Sequence, residues 1–233
     1  MEFRVLGPLE VHHRGRLVEV RGRRQRALLA KLVLNLGEAV PDERLLEDLW
    51  GEDQPASGGA ALRVRVSQLR KALAAGSPEG VAGAAIVTRG SGYALEADPE
   101  QVDARRFERL LGEGRQAMRE GRPAEALSTL DEGLSLWRGP ALADLAYEQF
   151  LQSEIARLEE LRLDAREERV DAELALGRDA ELVGELEASV AAEPLRERLR
   201  GQLMVALYRS GRQADALAAY RDARRTLTHE LGI

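Results

Sequence analysis

Residues 60–75 read AALRVRVSQLRKALAA, and this stretch decides the fold of the first part of the chain. Its apolar residues recur at the i, i+4, i+7 and i+11 spacing of one buried helical face: Leu62, Val66, Leu69 and Leu73. The other face carries only positive charge, because no acidic residue occurs between Gln54 and Pro78. The stretch therefore predicts a helix that packs on a core with one side and presents a cationic side to solvent.

The residues before this helix predict a hairpin and two more helices. Residues 3–11 and 17–20 are β-prone runs of roughly alternating polarity, separated by the turn-like residues 13–16. Helical spacing follows over residues 24–36 and again over residues 43–50, where Asp42 is the predicted N-cap. Gly37 and Gly51 supply the two helix stops.

The residues after the cationic helix predict a second hairpin. Beyond a Gly-rich linker, residues 86–89 and 93–95 form two short strands around Gly90-Ser91-Gly92. A cationic helix that follows another helix and precedes a hairpin has the parts of a winged helix-turn-helix DNA reader.

In such a reader the third helix enters the major groove, where arginine donates two parallel hydrogen bonds to guanine. The predicted DNA-binding residues are Arg63, Ser67, Arg70, Lys71, Arg89 and Gly90. A second basic cluster, at Arg21, Arg23, Arg24 and Arg26, predicts salt-dependent contacts to backbone phosphates. The phosphate candidates that we single out are Arg24, Arg26 and Arg65.

From Asp103 onward the pattern is helical and contains a weak internal repeat. Residues 119–127 (REGRPAEAL) match residues 209–217 (RSGRQADAL), and residues 176–182 (LGRDAEL) form a fainter copy. The glycines of the last two copies lie 34 residues apart, which is the tetratricopeptide period, and the longer first interval predicts an insertion around residues 137–140. Each Gly-Arg turn would join two antiparallel helices, and stacked pairs bury a continuous core.

The predicted fold is therefore an α+β winged helix-turn-helix domain over residues 1–97, followed by an all-α tetratricopeptide-like domain over residues 98–233. Residues 1–97 carry a net charge of +2 and residues 98–233 a net charge of −8, so the second domain is the poorer candidate for DNA contact. The chain has no cysteine and no apolar run of membrane-spanning length. We expect a cytoplasmic, nucleoid-associated protein with no membrane contact.

The sequence predicts no enzymatic site, no cofactor and no metal site. Histidine occurs only as His12, His13 and His229, and the adjacent pair lacks the i, i+4 spacing of a helical zinc site. Residues 90–92 and 112–114 lack the Gly-Lys-Ser/Thr that completes a phosphate-binding loop. The carboxylates of the second domain lie beside arginines on helical faces, which is typical of solvated surface.

Several motifs resemble the Streptomyces antibiotic regulatory proteins. In the first domain they are residues 3–9 (FRVLGPL), 24–30 (RQRALLA), 49–51 (LWG), 66–73 (VSQLRKAL) and 89–93 (RGSGY). In the second domain, residues 136–142 (LWRGPAL), 194–197 (PLRE) and 206–213 (ALYRSGRQ) are similar to that family's bacterial transcriptional activation domain. The resemblance covers nearly the whole chain.

The resemblance implies an OmpR-type winged helix that binds directly repeated promoter DNA upstream of secondary-metabolite (antibiotic) genes, as a dimer of two protomers side by side. It also implies an activator that recruits RNA polymerase holoenzyme, with a contact loop at Gly51, Glu52, Asp53 and Gln54. Family members usually continue beyond Ile233 with Glu-Pro and a short helix, and the larger ones add a nucleotide-binding ATPase module. A sequence without these parts is what we expect for the amino-terminal part of a larger family member.

Two other functions stay open on the residues alone. In the first, the helical half is a protein-interaction scaffold and the winged helix binds protein, in which case affinity would not fall steeply with salt as it does for phosphate contacts. In the second, the chain is a signal-sensing repressor with a ligand in the helical domain. No convergent polar cluster in the sequence argues for such a ligand.

Overall fold

The structure is a computed structural model that describes residues 1–75 and 84–231. Contacts divide the chain into two compact units, the first formed by Met1–Arg109 with Ser135–Leu161 and the second by Leu110–Leu134 with Arg162–Ile233. These units do not follow a single cut after residue 97. The domain boundary predicted there therefore stays a prediction, while packing follows a different division.

The first unit begins with an antiparallel sheet of β1 (Glu2–Arg4), β2 (Glu10–His13) and β3 (Arg16–Leu17), in that order. The expectation of one strand over residues 3–11 was wrong, because the chain turns at Gly7, whose φ is +149°. The turn places the backbone N–H groups of Val5 and Leu6 on the carboxylate of Asp103, at 2.8–3.0 Å. A partner almost a hundred residues away thus takes the hydrogen bonds that a continuous strand would use.

Three helices follow the sheet: α1 (Arg23–Leu34), α2 (Asp42–Trp50) and α3 (Gly58–Ala75). Asp42 was predicted to be the N-cap of α2, but it is the first helical residue, and the N-cap position belongs to Pro41 without a side-chain cap. The four apolar residues predicted on one face of α3 are all buried, which confirms the helical spacing read from the sequence. α3 therefore presents its other face to solvent.

The second sheet contains β4 (Val40–Pro41), β5 (Ala84–Arg89) and β6 (Gly92–Ala97), in the order β4-β6-β5. β5 and β6 form the predicted hairpin, with Ile86 opposite Leu95 and Thr88 opposite Tyr93. The Gly-rich linker predicted before it, at residues 76–83, lies outside the described residues. The winged-helix order of three helices and a hairpin is thus confirmed.

The first unit is completed by segments that follow the hairpin. Phe3 pairs with Val102 in an isolated parallel bridge, and the N–H groups of Arg138 and Leu142 donate to the carbonyls of Leu6 and Val5 at 2.8 and 2.9 Å. The rings of Phe107 and Trp137 meet edge to face with centroids 5.4 Å apart. The predicted insertion around residues 137–140 therefore belongs to the segment that packs on the turn between β1 and β2.

The remaining helices are α4 (Asp103–Arg119), α5 (Pro123–Ser135), α6 (Gln152–Ala175), α7 (Asp179–Ala192), α8 (Glu197–Arg209) and α9 (Gln213–Leu231). The three Gly-Arg turns have one geometry: Gly121, Gly177 and Gly211 have φ between +70° and +77°. In each turn the arginine N–H donates to the carbonyl five residues earlier, at 2.9–3.1 Å, as in a Schellman C-cap. This shared turn confirms the tetratricopeptide-like repeat.

Candidate nucleic-acid interface

The solvent-facing side of α3 is a continuous polar surface. Arg63, Ser67 and Lys71 are exposed and follow one another at four-residue spacing, so their side chains form one row along the helix. Lys71 makes no hydrogen bond or ion pair with any residue of the described ranges. The structure therefore brings together three of the residues predicted at DNA.

Two further residues of this surface were missed in the sequence analysis. Val64 is 54% exposed and Gln68 is exposed, and both lie beside the row of Arg63, Ser67 and Lys71. A glutamine amide can form two hydrogen bonds with adenine, and an apolar side chain can contact the methyl group of thymine. Completing the helical wheel opposite Leu62, Val66 and Leu69 would have identified them.

Arg70 lies on the flank of α3 and is held by the hairpin. Its Nε donates to the carbonyl of Ile86 at 2.7 Å, and its Nη2 donates to Oγ1 of Thr88 at 3.1 Å. Its guanidinium also lies 5.8 Å from the ring centre of Tyr93. These contacts orient the hairpin relative to α3 and hold the Arg70 side chain against it, while the contact of Arg70 with DNA stays a prediction.

Arg89 and Gly90 lie where the hairpin turns. Nη1 of Arg89 donates to the carbonyl of Gly37 at 2.9 Å, and Nη2 forms an ion pair with Glu96 at 2.5 Å. Both charged side chains of this pair are about half exposed, so the ion pair is weak and solvent-screened. Gly90 has a φ of +56°, which a side chain adopts at a cost, and it lets the turn close.

The start of α2 adds one negative charge beside this surface. Burial raises the pKa of Asp42, and the positive charge of Arg63 opposes that rise. Oδ1 of Asp42 is buried and has no hydrogen-bond partner among the described residues, while its backbone N–H donates to the carbonyl of Ser91 at 2.8 Å. Arg63 therefore lies close enough to the start of α2, which contacts the turn of the hairpin, to interact with the Asp42 carboxylate.

The three phosphate candidates have different surroundings. Arg24 and Arg65 line one open groove of about 470 Å³ near the start of α1. Arg26 lies elsewhere, because its Nη2 donates to the carbonyl of Leu9 at 2.5 Å and to the carboxylate of Asp144 at 2.6 Å. Those bonds fix the turn between β1 and β2, so we do not include Arg26 in the interface proposed below.

The predicted polymerase loop is an exposed connection between α2 and α3. Gly51–Asp53 form a single 3₁₀ turn, and Gln54 continues in an extended conformation. All four residues are exposed, and Glu52 and Asp53 form no ion pair with any described residue. The loop therefore offers two unpaired carboxylates to a partner.

The described ranges contain no cluster of three histidine, aspartate or glutamate side chains arranged to hold a metal ion. Within the same ranges, no helix has the length and apolar character needed to cross a lipid bilayer.

Two family models match the chain. The model of the C-terminal domain of transcriptional regulatory proteins matches residues 18–95, and the model of the bacterial transcriptional activator domain matches residues 102–233. The first match contains α1–α3 and most of the β5–β6 hairpin, and the second contains the helical repeat.

Curated relatives match the chain over its whole length. The regulatory protein DnrI of Streptomyces peucetius is 39% identical, and the match covers 87% of it. The regulatory protein AfsR of Streptomyces coelicolor is 41% identical, but the chain spans only 23% of its length. A solved structure, Mycobacterium tuberculosis EmbR in complex with a low affinity phosphopeptide, superposes with a TM-score of 0.93 at 37% identity and covers all of this chain and 61% of that one.

Proposed function

The chain belongs to the Streptomyces antibiotic regulatory protein family of transcriptional regulators, and from this premise we propose that it is a sequence-specific activator of antibiotic biosynthesis genes. The observation that carries the proposal is the solvent-facing side of α3. This side carries some side chains that can bind base edges and others that can bind phosphates, and it bears no carboxylate.

In the proposed complex α3 enters the major groove of promoter DNA. Arg63, Ser67 and Gln68 face base edges, Val64 faces a thymine methyl group, and Lys71 neutralises a phosphate. The hairpin turn at Arg89 and Gly90 follows the neighbouring backbone, and Arg70 holds the hairpin in position. The family resemblance makes directly repeated DNA the proposed target, with one protomer on each repeat.

The loop of residues 51–54 would then contact RNA polymerase holoenzyme. Its two unpaired carboxylates suit a basic surface on the polymerase, since opposite charges on two proteins steer their association. The double substitution Glu52→Ala and Asp53→Ala should leave promoter affinity unchanged and lower transcript yield in a reconstituted assay. An unchanged transcript yield would remove the loop from the proposed mechanism.

Fluorescence anisotropy with DNA from upstream of the chain's own and neighbouring genes tests the DNA proposal. We expect a repeat-containing duplex to bind on the order of a thousandfold tighter than a scrambled duplex, with affinity falling steeply as salt rises. Arg63→Ala should abolish most of the discrimination. Arg225→Ala, which removes the same charge from a highly exposed position on α9, is the matched control and should bind like the wild type.

Equal affinity for both duplexes, or none, would overturn the proposal and favour the scaffold function, for which partners of the helical repeat would be sought next. Specific binding that lowers transcription would instead indicate a repressor.

A further inference from the structure

The groove near the start of α1 contains a carboxylate among arginines. Its lining includes Arg23 and Arg24 from the first turn of α1, Arg65 from α3, and Glu148 from the segment before α6. The first turn of α1 holds no acidic residue. Three guanidinium groups therefore line the same groove as one anionic side chain, which comes from more than eighty residues further along the chain.

Glu148 is fixed in this position. Its Oε1 accepts a hydrogen bond from Nε of Arg23 at 2.6 Å, and its side chain is only 17% exposed, whereas that of Arg23 is 67% exposed. Its backbone N–H donates to Leu145, and its carbonyl accepts from Leu151, both at 3.0 Å. The Glu148 carboxylate thus places a fixed negative charge at the edge of an open groove that arginines line.

The other two arginines keep donors available. Arg24 makes one longer bond, from Nε to the carbonyl of Leu49 at 3.3 Å, and its guanidinium lies 5.7 Å from the ring centre of Trp50. Arg65 makes one bond to Gln68 at 3.4 Å. A guanidinium has five N–H donors, so both groups retain most of their capacity for an anion.

The groove is continuous with the face of α3 that carries the proposed function. Arg65 lies on the flank of α3 opposite Arg70, and its bonding partner Gln68 belongs to the solvent-facing side. A helix in the major groove has phosphates on both of its flanks. If Arg70 and the hairpin lie along one DNA strand, then Arg65 and the groove lie towards the other DNA strand.

We propose that this groove binds a backbone phosphate of the DNA and that Glu148 is its intramolecular competitor. This inference rests on the proposed function. In the free protein Glu148 partly neutralises the groove, and a phosphate that enters it displaces the carboxylate from Arg23. The carboxylate thereby lowers affinity for every duplex equally, because a phosphate contact carries no sequence information.

The test is Glu148→Gln, which keeps the shape of the side chain and removes its charge. We expect roughly fivefold tighter binding to specific and to scrambled duplex alike, from anisotropy at low salt, and a salt slope steeper by about one. The matched control is Glu154→Gln, which removes the same charge from an exposed ion pair with Arg157 and does not line the groove. A purely structural ion pair predicts a lower melting temperature and no gain in affinity.

Further substitutions test whether the gain in DNA affinity from Glu148→Gln depends on the arginines of the groove. In a background of Arg23→Ala, Arg24→Ala and Arg65→Ala, the gain from Glu148→Gln should disappear, because the phosphate has lost its three guanidinium ligands. Unchanged affinity in Glu148→Gln, a gain that survives in this background, or an equal gain in Glu154→Gln would overturn the inference while leaving the proposed function intact. Failure of the wild type to bind DNA would overturn both.

Discussion

Gln68 and Lys71 lie on the same exposed side of α3 but offer DNA different chemistry. The amide of Gln68 can both donate to and accept from one base, whereas the ammonium of Lys71 is a compact charge that suits a phosphate. We therefore expect Gln68→Ala to relax discrimination at one base pair, at a cost of about 1–3 kcal/mol for the cognate site, with no change in salt slope.

Lys71→Ala should do the converse: weaken binding to every duplex by a similar factor and reduce the salt slope by about one. Titrations against a set of single-base operator variants, at several salt concentrations, measure both effects. If the loss of affinity in Lys71→Ala depended on the DNA sequence, or if Gln68→Ala changed the salt slope, the roles of the two residues would be reversed.

Asp103 is the residue for which the structure predicts a pH effect. Burial raises its pKa from 3.8 to about 6, although hydrogen bonds from Val5 and Leu6 and the charge of Arg138 favour the carboxylate. The folded protein therefore binds this proton more tightly than the unfolded chain does. The stabilisation from protonation is fully present below pH 3.8 and is lost as the pH rises through about 6.

Consequently, lowering the pH from 7.5 to 5 should stabilise the wild type relative to Asp103→Asn by about 1 kcal/mol. Urea unfolding of both proteins at the two pH values measures this difference, since other titrating groups affect both equally. Parallel pH responses would mean that Asp103 does not titrate in this range.

At the scale of elements, the hairpin depends on close contact between β4 and β6. A Cβ added at Gly92 would lie 2.3 Å from the carbonyl oxygen of Val40 and 2.8 Å from its carbonyl carbon. Both are backbone atoms, so the strands must separate to make room. We expect Gly92→Ala to lower stability by about 1–3 kcal/mol and to weaken DNA binding through the displaced hairpin.

Gly112→Ala is the control for this substitution. Its new Cβ, in the middle of α4, would meet no heavy atom within 4 Å, and alanine favours a helix by up to about 1 kcal/mol. Thermal unfolding should thus move in opposite directions for the two variants. A neutral Gly92→Ala would show that β4 and β6 tolerate separation.

At the scale of the whole molecule, the connection between β1 and β2 depends on residues far along the chain. Asp103, Arg138 and Leu142 supply the hydrogen-bond partners of Val5 and Leu6. A fragment of residues 1–97 would lose these hydrogen bonds and expose to water the apolar surface beneath them. We expect this fragment to be at least about 3 kcal/mol less stable than the first unit in the full chain.

Urea unfolding of the fragment, followed by circular dichroism and by the fluorescence of Trp50, tests this expectation against the full chain. A fragment as stable as the intact protein would show that residues 1–97 form an autonomous domain. That outcome would support the predicted boundary over the division by packing.

The sequence alone determined the helices, the β5–β6 hairpin and the repeat. Leu62, Val66, Leu69 and Leu73 share a face because helical spacing is local, and the glycines of the three Gly-Arg turns adopt positive φ for a reason internal to each turn. The family motifs are contiguous as well, so they could be read without knowing which residues meet in space.

Only the tertiary structure decided what the arginines do. Arg63 and Lys71 remain on the open side of α3, but Arg70 is held by the hairpin, Arg26 by Asp144 and Arg23 by Glu148. Helical spacing shows from which face of a helix an arginine side chain projects. It carries no information on which distant carboxylate or carbonyl that long side chain will contact. The partners of Arg26 and Arg23 lie more than a hundred residues away, and only the folded chain brings them together.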